Sequence, residues 1–507
     1  MQKYLRTWSG AVVATMLGAA VMLMNAHFAV ASAQDAPKQD TPAKKAKAVK
    51  DQQEYDIYND VIKDANPTGP NYKKLLTDLD TWTQKYPNTD YKDERIAYYV
   101  QGYAGGGQPT KALDAVKGLI GGDLPGLKTA LTSPSLILST LYFSVASALQ
   151  AASAGNPTPD ELDTGSKVAH LLLDYSKEWF SPDNKDVVMT DANRTQGLKT
   201  MQDAANGALL QITLYPGMSI LKPSPKDAPT CAKAEPAFIK ALQDRPDSGQ
   251  IALQLANTFF CQRAVSPDKL QQSVYEYARA VVSAQGAPWG LDATNQKAFD
   301  TFLTNTYKAL HGTDEGLSDL KEQAKASPLP PAGFRIKTSS EIAMEQQAKF
   351  QKDNPQLATW MGIEGQLSGD NGQAFFDGSL KDADVHGDGG AKALKGTVIG
   401  MMTKVADKPS KPATCNPNEL LVAIPLPGQT ADTAKVKLHL DTALKGKVDN
   451  GTEVQWDGVP SVFTKDPFQL TMDILDKSKI DVAVTACPPP PAAKKSAAPA
   501  AKKKGGE

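Results

Sequence analysis

Cysteine and histidine are scarce, with four and five residues in a chain of 507. The cysteines, Cys231, Cys261, Cys415 and Cys487, form no Cys-x-x-Cys pair and have no histidine at metal spacing. That leaves zinc and thioredoxin-type chemistry without support. His27 lies among the first 33 residues; His170, His311, His386 and His439 are dispersed and include no His-Glu-x-x-His, so each of these four reads as a surface or turn residue. No Gly-x-Ser-x-Gly elbow occurs, and Gly105-Gly106-Gly107-Gln108-Pro109-Thr110-Lys111 lacks phosphate-loop spacing. With no acid/base pair and no nucleophile beside its base, the expectation is a non-enzymatic chain without cofactor or metal. An excess of one charge is missing too. Lys+Arg total 55 against Asp+Glu 56, a formal charge of -1, so no whole-chain field recruits nucleic acid or an anionic membrane.

Length implies several domains at about 100–200 residues each, and 38 Gly with 35 Pro imply many turns. The first residues read as a secretory leader. Lys3 and Arg6 precede an apolar run from Ala11 to Met24, and Ala31-Ser32-Ala33 offers small residues for cleavage before Gln34. The run is shorter than the roughly 20 residues of a spanning helix, and no second long apolar run is read after it. The expectation is therefore a periplasmic protein with no stable membrane insertion after cleavage. Residues 34–51 are rich in Ala, Pro, Lys, Gln and Asp and read as a disordered linker. Residues 488–507 read as a Pro/Ala/Lys tail whose basic charge suits anionic envelope components, or simply solubility.

From about Gln53 to Ser327 apolar residues recur at helical spacing, as in Tyr55, Tyr58, Val61 and Ile62, or Leu75, Leu76, Leu79 and Trp82. Over Arg95 to Pro125, Tyr103, Gly107 and Ala112 place an aromatic, a turn glycine and a small helix-crossing residue in sequence. Ala234, Phe238, Ala241 and Pro246 repeat the second half of that pattern, and Tyr277 with Ala280 repeat part of it. Leu291 to Phe334, with a turn at His311-Gly312 and Leu317, Leu320 and Ala324 on one face, reads as a closing hairpin. On these residues the chain resembles exported bacterial tetratricopeptide-repeat (TPR) proteins over about half its length. The resemblance implies a helical solenoid that binds a protein partner. Ala130–Asp183 and Asp191–Asp227 read as helical but longer than one repeat.

At Leu329-Pro330-Pro331 the helical pattern stops; Thr338 with Glu341 reads as a capping box for a helix through Phe350. After Gly372 the period becomes two. Val436, Leu438 and Leu440 alternate with Lys437 and His439, and Phe468, Leu470, Met472 and Ile474 alternate with polar residues. Thr397–Val405, Leu420–Leu426 and a long Gly451–Phe463 complete five expected strands, with turns at Asn450-Gly451 and Asp466-Pro467. The run from Gly446 through Trp456 to Phe468 resembles exported bacterial oligonucleotide/oligosaccharide-binding (OB) folds, which implies a small barrel; no room exists between Leu440 and Gly451 for the helix such barrels often carry. Asp382-x-Asp384-x-His386-Gly387-Asp388 starts like a calcium loop, but Ala393 stands where the bidentate Glu belongs. Trp456 and Phe463 could stack bases on a barrel face, yet core packing explains both.

The expected fold class is multidomain α + β, a helical repeat solenoid followed by a small barrel or sandwich. Its divisions are 1–33 leader, 34–51 linker, 52–335 helical repeats, 336–371 connecting helices, 372–487 β-rich domain and 488–507 tail. Gln250, Gln254 and Asn257 form a polar stripe at i, i+4 and i+7, and Gln101 holds a comparable place in the first good repeat. These amides are the candidates for binding an extended peptide. Cys231 and Cys261 each lie 15 residues from Pro246, so on two antiparallel helices both stand about 22 Å from the turn and face each other. Cys415–Cys487 is then the second pair. The functional expectation is an exported scaffold or adaptor with a protein or peptide partner in the cell envelope. A polymer- or oligosaccharide-binding barrel carried on a helical spacer is the alternative.

Overall fold

The computed structural model describes residues 47–488, apart from 67, 122, 186, 223–226, 285–287, 388–390, 406–407 and 427–429. The expected leader, most of the linker and all of the tail but Pro488 lie outside the described residues. The chain forms a multidomain α + β protein of two units, the first ending at Thr338 and the second beginning at Ser339.

In the first unit, helices α1 (Gln52–Asp64), α2 (Tyr72–Lys85), α3 (Lys92–Gly105), α4 (Pro109–Val116), α5 (Leu124–Ala130), α6 (Pro134–Ala154) and α7 (Pro159–Trp179) are followed by the long α8 (Asp191–Leu221). Then come α9 (Ala228–Asp244), α10 (Gly249–Gln262), α11 (Pro267–Val282), α12 (Ala293–His311) and α13 (Leu317–Ala326). Short polar residues start many of them. The side chains of Asp51, Asn71, Ser133, Asp227, Ser248 and Asp292 each accept a backbone N–H of the first turn, and Thr158 with Glu161 closes a capping box. Most helices pack on their neighbours in sequence; α6 also touches α3, α4 and α8, and α13 touches α11.

Gly107 has φ +71° at the turn between α3 and α4, a conformation that favours glycine. Ala112, Ala234, Phe238, Ala241, Tyr277 and Ala280 are all buried. Gly217 lets the Phe238 ring approach within 2.5 Å of where a Cβ would stand. One expectation is corrected here. α6 is a further helix long and apolar enough by composition to cross a membrane, yet most of it is buried inside this unit. It is apolar all round because helices cover it on several sides.

Cys231 on α9 and Cys261 on α10 are joined, with Cα atoms 6.3 Å apart. Cys415 and Cys487 are joined in the second unit, Cα atoms 5.6 Å apart. Both pairs follow the pairing expected from the sequence, and both are compatible with an oxidising compartment.

The second unit opens with α14 (Ser339–Asp353), α15 (Pro355–Ser368) and α16 (Gly372–Phe375), which runs into one π-helical turn over Phe376–Leu380. Residues 336–371 are thus more than a connection, because Trp360 and Leu367 of α15 are fully buried in the core of the sheet. Strands do not begin just after Gly372. They are β1 (Leu394–Thr403), β2 (Lys411–Pro412), β3 (Glu419–Ala423), β4 (Val436–Leu440), β5 (Glu453–Trp456), β6 (Val459–Thr464), β7 (Gln469–Ile474) and β8 (Ile480–Val482). The mixed sheet has the order β6-β7-β4-β3-β1-β5-β8, with β2 beside β1 and a parallel β4–β7 pair. The long strand expected over Gly451–Phe463 is broken at Asp457-Gly458 into β5 and β6, which lie far apart in that order although two residues join them. The sheet must therefore curl. Asp457 holds the junction: its Oδ1 accepts the N–H groups of Gly387 and Ala393 at 3.0 and 2.8 Å, and Oδ2 lies 3.3 Å from Lys392 Nζ. Burial alone would raise its pKa, but these donors hold it below the usual carboxylate range.

Candidate functional site

Three of the four candidate amides are occupied inside the helical unit. Gln101 on α3 is 6% exposed, and its Nε2 donates to Ser139 Oγ on α6 at 2.8 Å. Asn257 Oδ1 on α10 accepts the Tyr277 hydroxyl of α11 at 2.7 Å. Gln250 Nε2 donates to Gly290 O at 3.2 Å, and Gln254 is half-buried. Gln101 and Asn257 therefore tie helices together, so these two candidate amides are engaged within the unit. Buried amides need partners, and the neighbouring helix supplies them.

In the second unit Trp456 is fully buried, its Nε1–H donating to Met472 Sδ at 3.4 Å, and Phe463 packs on Phe376 and Phe468. Neither ring is available for stacking. Asp382–Gly387 is fastened to the β5–β6 junction, with Asp382 N–H donating to Pro460 O and Val385 bridging Gly458; Asp388 lies outside the described residues. Among the described residues no three His, Cys, Asp or Glu side chains are placed to hold a metal. On the sheet, the buried Glu419 of β3 has its Oε1 3.7 Å from His439 Nδ1 and 3.9 Å from Lys437 Nζ, both on β4. His170 and His386 bond locally to carbonyls of their own helix or loop.

His311 does something different. It stands at the end of α12, and its ring Nδ1–H donates to Lys337 O at 2.8 Å, one of several contacts that hold an extended segment in a groove between α11, α12 and α13. α13 ends at Ala326 because Pro328, Pro330 and Pro331 follow it. Gly333, at φ +76°, turns the chain back. Phe334 then meets the Tyr275 ring edge-on at 5.0 Å, and Ile336 is buried in the cluster that holds Tyr275, Leu303, Tyr307, Leu317 and Leu320. The Ile336 N–H donates to Gln271 Oε1 at 2.8 Å. Alongside, an open cleft of about 470 Å³ is lined by Tyr307, Gly316, Asp319 and Gln323 together with the segment itself.

Polar side chains of α11 fasten the end of α13. The Tyr275 hydroxyl donates to Gln323 O and Ser327 O, both at 3.1 Å. Arg279 Nη1 donates to Ala324 O at 2.5 Å, Lys325 O at 3.2 Å and Ser327 O at 3.1 Å, and its Nη2 donates to Pro246 O. A cation on the last carbonyls of a helix is favourable twice, by hydrogen bonding and by the dipole. One turn away, Glu276 is 0% exposed and neither carboxylate oxygen has a hydrogen-bond partner. Burial pushes its carboxyl well above the usual range, with Arg279 opposing the shift. The sequence carried one usable sign of this groove: after the prolines, Phe334-Arg335-Ile336-Lys337 alternates apolar and basic residues at the period of extended chain. No family model matches the chain, and no curated protein matches it.

Proposed function

We propose that the protein is a non-enzymatic scaffold of the bacterial cell envelope, exported through a cleaved leader, whose TPR-like helical unit holds extended segments of partner proteins. The observation that carries this reading is the segment Phe334–Lys337, held in a helical groove by two apolar anchors and by side chains that bond its backbone. Helices that pack mainly on their neighbours in sequence fit a repeat array, and the two cysteine pairs fit an oxidising compartment. The C-terminal unit is read as an OB-like second module. Taken as one interrupted strand, β5 and β6 pair with β1 at one end and β7 at the other. On that reading β1-β3-β4 and the parallel β7 complete a five-membered ring, with Trp360 and Leu367 of α15 in its core in place of an internal helix.

A photo-crosslinking residue at Gln323, in the cleft, tests the reading in cells that export the protein. Adducts of discrete mass in the envelope fraction are expected, and none from the same probe at the exposed Lys240 of α9. Equal labelling at both positions, or none at either from folded protein, would count against it.

A further inference from the structure

The segment Gly333–Lys337 sits in its groove as a ligand would, and two kinds of contact hold it. Phe334 and Ile336, two positions apart, fall on one side of an extended chain; the first packs on Tyr275 and the second is buried among Leu303, Tyr307 and Leu320. Two further contacts reach the main chain: Gln271 Oε1 accepts the Ile336 N–H, and the His311 ring donates to Lys337 O. Main-chain contacts are blind to sequence, whereas the two pockets select side chains, the division of labour found where proteins recognise extended peptides.

We propose that Gly333–Lys337 is a resident pseudo-ligand, and that the groove takes in its place an extended segment of a partner protein with an aromatic and a branched aliphatic residue two positions apart. The inference rests on the scaffold reading and names the partner's chemistry. The resident segment is tethered a few residues beyond α13, so it competes at a high effective concentration and weakens any partner that must displace it. The apparent affinity of a partner falls in proportion to the fraction of grooves left open. Alongside the segment the cleft at Gly316, Asp319 and Gln323 is open, which leaves room beside it for the side chains of a bulkier chain.

A fluorescein-labelled peptide of sequence Ala-Gly-Phe-Arg-Ile-Lys-Thr, copied from Ala332 to Thr338, is titrated with the full chain and followed by anisotropy. The double variant F334A/I336A, which loosens the resident segment, should bind it at least tenfold more tightly than the wild type. The peptide with Ala in place of both anchors should not bind, and adding Q271A to the double variant should weaken binding several-fold. Should the double variant melt below the assay temperature, F334A alone serves, with a smaller gain in the same direction. Equal binding by wild type and variant, or no binding by a variant of native helical circular dichroism, overturns the proposal. So does a wild-type dimer in light scattering that F334A/I336A abolishes, because the occupant is then a second copy of the chain. Crosslinks from Gln323 without peptide binding would remove this inference and leave the scaffold reading standing.

Discussion

At the scale of single residues, Glu276 carries the clearest consequence. It is buried on α11 with both carboxylate oxygens unbonded, and burial pushes its carboxyl well above the usual range, Arg279 opposing. Below the ordinary glutamate range the folded and unfolded chains both carry the proton, and the protein has the full stability this site allows. As pH rises past that range the unfolded chain releases its proton first, so stability falls by about 1.4 kcal/mol per unit of pH until the buried acid also ionises. Gln at this position has the same shape and no proton to lose. E276Q should therefore be close to wild type in urea unfolding at pH 4.5 and more stable than wild type at pH 8, the gap widening by up to about 1.4 kcal/mol per unit of pH in between. A variant less stable than wild type at pH 8 would show instead that Glu276 is ionised and paired with Arg279.

At the scale of elements, the cysteine arithmetic and the α9–α10 hairpin were legible, because periodicity and turn residues fix where a helix lies and how far from its turn a residue stands. Cys231 and Cys261 meet across α9 and α10 for that reason. What was not legible was how a face is covered. Gln101 and Asn257 look polar and free in one dimension, but the helices beside them bring Ser139 and Tyr277 within bonding distance. α6 hides its role because an all-round apolar helix has no periodic face to read. Gly451–Phe463 reads as one strand since Asp457-Gly458 is too short a break to interrupt a pattern of period two, yet it sends β5 and β6 to different partners. The groove segment escaped because a closing hairpin was expected through Phe334, whereas α13 ends at Ala326. The bridge itself is open to measurement. Replacing Cys231 and Cys261 together by alanine releases a loop of 30 residues in the unfolded chain and should cost about 2–4 kcal/mol. A shift in the urea midpoint equivalent to less than about 0.5 kcal/mol would mean that helix packing alone fixes the pair.

At the scale of the whole molecule, the chain divides between Thr338 and Ser339. The buried clusters of the helical unit are built from residues up to Ile336, and the buried cluster of the second unit begins at Trp360. Each unit thus carries its own core and falls within or near the size of domains that fold alone, about 50–250 residues. The second unit also closes on itself covalently, because Cys415 and Cys487 both belong to it. Helices α14 and α15 belong to it as well, so its fragment should be recognised by a mixed circular dichroism spectrum, neither mainly helical nor purely β. We expect two calorimetric transitions in the full chain. A fragment from Ser339 to Glu507 should reproduce one of them at an unchanged midpoint, with its single disulfide formed. A fragment cut instead at Gly372 loses α15, and with it Trp360 and Leu367, two fully buried side chains of the same core. Deleting large buried groups costs about 2–5 kcal/mol each, enough to remove most of the stability of a small domain, so this shorter fragment should be unfolded or should melt far below the longer one. If both fragments melt alike, residues 336–371 are only a connection and the core drawn around Trp360 is wrong.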